Sequence, residues 1–71
     1  MLTSADVVVV TRAFEEHVVC TNQEYDTVDY HHGLEVFLHQ VESVAYGEEV
    51  VPNPYIEVPL EFVHIVFKSL N

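Results

Sequence analysis

The chain has very little positive charge. Of its 71 residues only Arg12 and Lys68 are basic, against twelve aspartates and glutamates. The formal net charge is −10, so ten carboxylates lack a basic partner even if both cations are paired. Such a surface repels nucleic acid and attracts basic proteins, above all those whose own ligand is a polyanion. A simpler alternative is that the acidity only keeps a small apolar protein soluble.

Cysteine and glycine are also scarce, with one cysteine, Cys20, and two glycines. A single cysteine cannot form an internal disulfide, and the chain lacks the disulfide framework of small secreted domains. We therefore expect a reducing, cytoplasmic location. The first ten residues contain no basic residue and only a run of four valines. That pattern is not typical of an export signal or of a membrane span. We therefore expect no membrane partner.

Sites for metals, cofactors and catalysis are not expected. His31 and His32 are adjacent, which turns their rings apart on a strand or a helix, and no HxxxH or CxxC spacing is present. The segment 22–29 resembles a calcium loop through Asn22, Glu24, Asp26 and Asp29. Thr27, however, stands where such a loop needs glycine. No serine or cysteine lies in a nucleophile motif, and there is no phosphate-cradling glycine loop. We predict that the protein is not an enzyme.

The apolar pattern predicts one α+β domain over residues 1–71. Residues 7–10 and 14–21 are rich in β-branched and aromatic residues, which favour strands, and a turn at Asn22 and Gln23 leads to a strand over 24–31. Gly33 is expected to end that strand. The run 60–70 is apolar on both faces, which predicts a further strand that needs cover on both sides.

Between these strands, residues 34–46 have helical periodicity. Their apolar stripe faces the core and consists of Leu34, Phe37, Leu38, Val41, Val44 and Ala45. The opposite stripe consists of Glu35, His39, Glu42 and Tyr46. Gly47 is expected to cap the helix in a left-handed conformation, and the proline-containing segment 48–59 is expected to form a loop, with or without an edge strand.

The fold expected from these elements is a three- or four-stranded antiparallel sheet with one helix between strands 2 and 3. One helix covers only one face of such a sheet. We therefore expect a homodimer that buries the second apolar surface against its copy.

One stretch resembles a known family. Residues 29–34, Asp-Tyr-His-His-Gly-Leu, together with Tyr46-Gly47, look like the small acidic homodimeric inhibitors of uracil-DNA glycosylase made by certain Bacillus phages. Residues 11–33 align with that family without gaps, and the apolar character of 62–71 also agrees. Residues 1–10 match poorly, the helix is longer here, and the proline-containing loop is an insertion.

The resemblance implies a dimeric DNA mimic that blocks the DNA-binding surface of uracil-DNA glycosylase, in a bacterial host's cytoplasm if the chain is phage-encoded. It places Asp29 at the family's functional acid and Tyr46 at its functional tyrosine. Glu42 stands where the family has a groove aromatic, so either Phe37 or Val41 supplies the groove or the chain is a different kind of inhibitor. The full set of expected partner-binding residues is Glu24, Asp26, Asp29, Glu35, Phe37, Val41, Glu42 and Tyr46.

Two alternatives remain open from the sequence. The first is that the acidic chain mimics DNA for another nucleic-acid-handling protein, such as a restriction, nuclease or CRISPR effector. The second is that the chain is a dimeric interaction module whose partner has no DNA-binding cleft.

Overall fold

The computed structural model describes residues 2–70 and contains three α-helices: α1 (Ser4–Cys20), α2 (Thr27–Tyr46) and α3 (Leu60–Lys68). Within this range no β-strand forms, so the predicted α+β sheet is wrong and the domain is all-helical. Met1 and Asn71, the ends of the predicted domain, lie outside the described residues. The helices form a body of 30 × 23 × 19 Å.

Helix α1 replaces the two predicted N-terminal strands. Its first turn is closed by a capping box: the Asp6 backbone N–H donates to the Thr3 hydroxyl oxygen (3.2 Å), and the Thr3 N–H donates to the Asp6 carboxylate (3.1 Å). Val10 and Phe14, four residues apart, are both fully buried. Burial of this helical face outweighs the strand preference of the valines, since strand propensity is weak and depends on context.

Helix α2 begins seven residues before the predicted start at residue 34, because Asp26 caps it. The Asp26 carboxylate accepts a hydrogen bond from the Asp29 N–H at 2.8 Å. The predicted strand over 24–31 is therefore wrong, and Gly33 lies inside a helix instead of ending a strand. The predicted cap is confirmed, because Gly47 has φ 72° and ψ 23° at the end of α2.

Helix α3 replaces the predicted C-terminal strand. Val63 and Val66 are buried, and Phe62, Phe67 and Leu70 pack against the core from the same side. The run that looked apolar on two strand faces is thus largely gathered on one helical face. The reason for expecting a dimer through residues 60–70 is removed by this arrangement.

Aromatic rings connect the three helices around α2. The Phe37 ring of α2 lies 5.2 Å from the Phe14 ring of α1 and 5.8 Å from the Phe62 ring of α3, measured between centroids. Tyr30 adds a second contact to Phe14 at 5.3 Å. These separations are in the range where aromatic pairs stabilise a core. Both α1 and α3 therefore pack on α2, the central helix.

The proline-containing segment 48–59 is a loop, as predicted, and it runs back along α2. The Gln40 side-chain amide donates to the Val51 carbonyl oxygen (2.9 Å), and the Asn53 amide donates to the Gly33 carbonyl oxygen (2.9 Å). Because the loop returns to the level of Gly33, α3 starts beside the beginning of α2. Helix α3 is consequently parallel to α2 and antiparallel to α1.

Gly33 is required by close contact with this loop. A Cβ atom placed on Gly33 would lie 2.8 Å from both Cγ1 and Cδ1 of Ile56, which is itself 1% exposed. A helix interior normally disfavours glycine, by about 1 kcal/mol relative to alanine. Here the missing side chain leaves the space into which Ile56 packs.

We predict that Gly33→Ala lowers the free energy of unfolding by about 1–2 kcal/mol, because overpacking at Ile56 exceeds the gain in helix propensity. In an Ile56→Ala background the same substitution should instead stabilise the protein by about 0.5–1 kcal/mol. Urea denaturation of the four proteins measures both effects.

Gly47→Ala is the matched control for this cycle. Gly47 has a positive φ and nothing within 4 Å of an added Cβ, so its substitution should cost the same with or without Ile56. Stabilisation by Gly33→Ala in the native background would contradict the contact with Ile56.

Candidate functional site

Three segments meet at one end of the molecule: the end of α1, the turn into α2, and the approach to α3. A shallow hollow of about 180 Å³ marks the meeting point. Its lining residues are His17, Thr21, Gln23, Glu57 and Pro59. Asn22, in the α1–α2 turn, has a positive φ of 54°, a conformation that asparagine tolerates better than most residues.

Five exposed carboxylates belong to these segments, and we call them the acidic end. They are Glu24, Asp26, Asp29, Glu57 and Glu61. Neither basic residue lies there. Arg12 is beside Ser69 in a different hollow between α1 and α3, and Lys68 is in the last turn of α3, at the opposite end. The acidic end therefore contains neither of the two cations of the chain.

Helix capping accounts for part of this cluster. Asp26 caps α2, Asp29 lies in the first turn of α2, and Glu61 lies in the first turn of α3. Carboxylates at these positions are stabilised by the unpaired N–H groups and the dipole of a helix N-terminus. Glu24 and Glu57 lie outside the helices, so capping does not explain their presence.

The structure separates Asp29 and Tyr46, the two residues to which the family resemblance assigns a functional role. Asp29 is in the first turn of α2 and Tyr46 is its last residue. Seventeen residues of helix place them about 25 Å apart along the axis. Tyr46 is 57% exposed, and Glu42 is half-buried near it. Glu35 is exposed midway along the helix, so only Glu24, Asp26 and Asp29 of the predicted acids belong to the acidic end.

Phe37 and Val41 do not form a partner-binding groove. Both are 0% exposed and lie in the core, so this expectation is corrected. They occupy the same helical stripe as Leu34, Leu38 and Val44, which pack against the core as predicted. Ala45, which was also predicted to face the core, is exposed. A side chain that α1 and α3 already cover cannot also receive a residue of a partner.

Tyr30 lies close to the acidic end, on the first turns of α2. Burial raises the pKa of its phenol above the ordinary value of 10.0, and the nearby Glu15 carboxylate raises this pKa further. Both causes act in the same direction, since a phenolate is disfavoured by low polarity and by a neighbouring negative charge. Tyr30 is therefore held in its neutral form.

The histidines do not come together as a metal site. Across residues 2–70 no group of three or more His, Cys, Asp or Glu side chains is placed to hold an ion. The His32 ring instead lies 5.0 Å from the Tyr55 ring, and the His17 ring stacks on the Phe62 ring at 4.7 Å, both measured between ring centroids. In the same part of the chain, no helix combines the length and apolar character that crossing a membrane requires.

No known family model, curated protein or solved structure matches this chain. The resemblance at residues 29–34 therefore stays a hypothesis drawn from the sequence.

Sequence reasoning missed Glu57 and Glu61 as neighbours of residues 24–29. The sequence carried a partial signal for the part of the acidic end at residues 24–29. Asp26 and Asp29 have the spacing of an N-cap and its third residue, which predicts a helix start at residue 27. Nothing in the sequence indicated that segment 48–59 returns along α2, and that return brings Glu57 to the acidic end.

We predict that the protein loses stability above about pH 10 in part because Tyr30 stays neutral when folded. A raised pKa means that the unfolded chain releases the Tyr30 proton first, so stability falls as pH rises from 10.0 through the folded-state pKa. Tyr30→Phe should make the decline shallower, and Glu15→Gln should do so to a smaller extent. Thermal melts between about pH 8 and 11.5 measure this, and an unchanged slope in Tyr30→Phe would contradict it.

Proposed function

We propose that this chain is a non-enzymatic inhibitor that binds the basic, nucleic-acid-binding cleft of a DNA-handling protein as an acidic mimic of DNA. The observation that carries the proposal is the acidic end, where two separate parts of the sequence that carry carboxylates meet and neither Arg12 nor Lys68 lies. Such an inhibitor would act in the cytoplasm of a bacterial cell.

The density of charge supports mimicry of a nucleic acid strand. A net charge of −10 along a longest dimension of 30 Å is about one charge per 3 Å. One strand of B-DNA carries about one charge per 3.4 Å of its axis, and a duplex carries about twice that density. The whole molecule therefore carries about as much negative charge per length as a single strand, and the acidic end presents five of its twelve carboxylates.

The rigidity of the acidic end also supports this function. The Asp26 carboxylate is held by the Asp29 N–H, and Asp29 and Glu61 stand on the helical backbone of the first turns of α2 and α3. Charges that are already in place cost less conformational entropy on binding than charges on a flexible tail. They also steer association over a distance of about 10 Å at moderate salt.

Uracil-DNA glycosylase is the first candidate target. This choice rests on the resemblance of residues 29–34 and of Tyr46-Gly47 to its phage inhibitors. A glycosylase holds the duplex in a positively charged groove while it flips a base, which suits an acidic competitor. The all-helical fold and the separation of Asp29 from Tyr46 do not reproduce the geometry that the resemblance implied. Contacts are therefore proposed through the acidic end and not through an Asp29–Tyr46 pair.

We predict that Glu24→Gln, Asp29→Asn and Glu57→Gln combined weaken inhibition at least about tenfold, because they remove charge at the contact itself. The matched control combines Glu35→Gln, Glu48→Gln and Glu49→Gln, which remove the same charge elsewhere and should cost less than about threefold. Excision of uracil from a labelled duplex by a bacterial glycosylase, titrated with each protein, gives the inhibition constants.

Inhibition should also weaken as salt rises, since charge pairing supplies much of the attraction. Equal losses in the two triple variants would contradict a role for the acidic end. Full glycosylase activity at a large molar excess would remove this target, and the same titration against a restriction enzyme and a nuclease then tests the wider proposal. Failure against all of these would contradict DNA mimicry.

A further inference from the structure

The outer face of α1 is apolar although it faces away from the core. Val10 and Phe14 define the buried side, and the opposite side carries residues that are all exposed. These outer-face residues are Val8, Val9, Arg12, Glu16, Val19 and Cys20. Val8, Val9 and Val19 are 53%, 42% and 71% exposed. A row of exposed valines on one helical face indicates an interaction surface, since such patches are uncommon on monomers.

The charges on this face are unusual for the chain. Elsewhere the exposed charges are almost all negative, but here one of the two basic residues, Arg12, stands one helical turn from Glu16. Both line the same hollow between α1 and α3, so both project from the same side of the helix. The centre of the outer face therefore carries one positive and one negative charge. Val8 and Val9 lie on its N-terminal side, and Val19 lies on its C-terminal side.

This pattern is complementary to itself. If two α1 helices pack antiparallel about a two-fold axis midway between residues 12 and 16, each Arg12 faces Glu16 of the other copy. The same register places Val8 opposite Cys20 and Val9 opposite Val19. We propose that the outer face of α1 is a homodimer interface and that its occupant is a second copy of this chain in this antiparallel register.

Helix α3 extends the surface. Phe62, Val66 and Ser69 line its side of the hollows shared with α1, and Ile65 lies on the same stripe, three residues from Phe62 and four from Ser69. Ile65 is 54% exposed. A second α1 helix against this face would cover these apolar atoms.

Charge selects a second copy over other occupants. A strongly acidic partner gains nothing from Glu16, and a strongly basic partner must accept Arg12 at the centre. The copy satisfies both charges twice, by the interhelical pairing that orients coiled coils. Each copy carries −10, so general repulsion opposes the dimer, and added salt should strengthen it.

Charge reversal tests the register. Arg12→Glu sets two acids against two acids, and Glu16→Arg sets two bases against two bases, so each should weaken dimerisation at least about tenfold. The double variant Arg12→Glu with Glu16→Arg restores both pairs in reversed order and should restore the dimer. Sedimentation equilibrium between about 10 µM and 1 mM protein measures the association, with circular dichroism as the check on folding.

Glu15→Arg is the matched control. It makes the same charge change one residue away, on the side of α1 near Tyr30, and should leave dimerisation intact or strengthen it. A monomer at every concentration, or a double variant as weak as the singles while still helical, would overturn the proposal. Salt distinguishes this interface from the proposed inhibitory contact, because salt should strengthen the dimer and weaken binding to a basic cleft.

Disulfide trapping tests the antiparallel direction separately. Val8→Cys should form cross-linked dimers through Cys20 of the other copy when diamide oxidises each thiol pair to a disulfide. Within one helix, residues 8 and 20 are about 18 Å apart, too far for a disulfide. In the antiparallel register the same distance of about 18 Å separates residue 20 of one copy from residue 20 of the other, and residue 8 from residue 8. The native chain and the Val8→Cys, Cys20→Ser variant should therefore not cross-link. Efficient Cys20–Cys20 cross-linking of the native chain would overturn the antiparallel register.

Discussion

The Phe37 ring, packed between Phe14 and Phe62, is the contact on which the rest of the structure depends. It joins the three helices at one point, and all three rings belong to or border the core. A domain of this size buries a limited fraction of its surface, so few contacts of this kind are available. The self-repulsion of the surplus carboxylates opposes the compact state, and the stability of the fold depends on this core being well packed.

The direction of each helix follows from what surrounds this core. The short turn after α1 makes α1 and α2 antiparallel, and the return of segment 48–59 makes α3 parallel to α2. The return is possible because Gly33 leaves space for Ile56 and because Gln40 and Asn53 hold the loop by hydrogen bonds. Two helix N-termini therefore lie at one end, where carboxylates are favourable as caps. One arrangement thus accounts both for local helix stability and for the concentration of negative charge.

The sequence was sufficient to predict the second half of α2, its core-facing stripe except for Ala45, its cap at Gly47 and the loop after it. These features depend on helical periodicity and on backbone conformation, which are local. Helix α1 was predicted as strands because β-branched and aromatic residues are frequent in it, and α3 because its residues are apolar on both faces of a strand. Burial of one helical face overrode both patterns. The spacings of Thr3 to Asp6 and of Asp26 to Asp29 were usable signals of helix starts. The packing role of Gly33 could not be predicted from the sequence, because Ile56, which packs against it, is distant in the sequence.

The acidic end itself could be predicted only in part, since residues 24–29 are local and Glu57 arrives through the loop. The most direct test of this convergence is paramagnetic relaxation with a spin label on Glu57→Cys in a Cys20→Ser background. Apart from the sequence neighbours of residue 57, we predict strong broadening of the amide signals of Thr21 and Gln23, and weak broadening at Glu48 and Glu49. The reverse result, with Glu48 and Glu49 broadened most, would contradict the meeting of these segments and with it the acidic end.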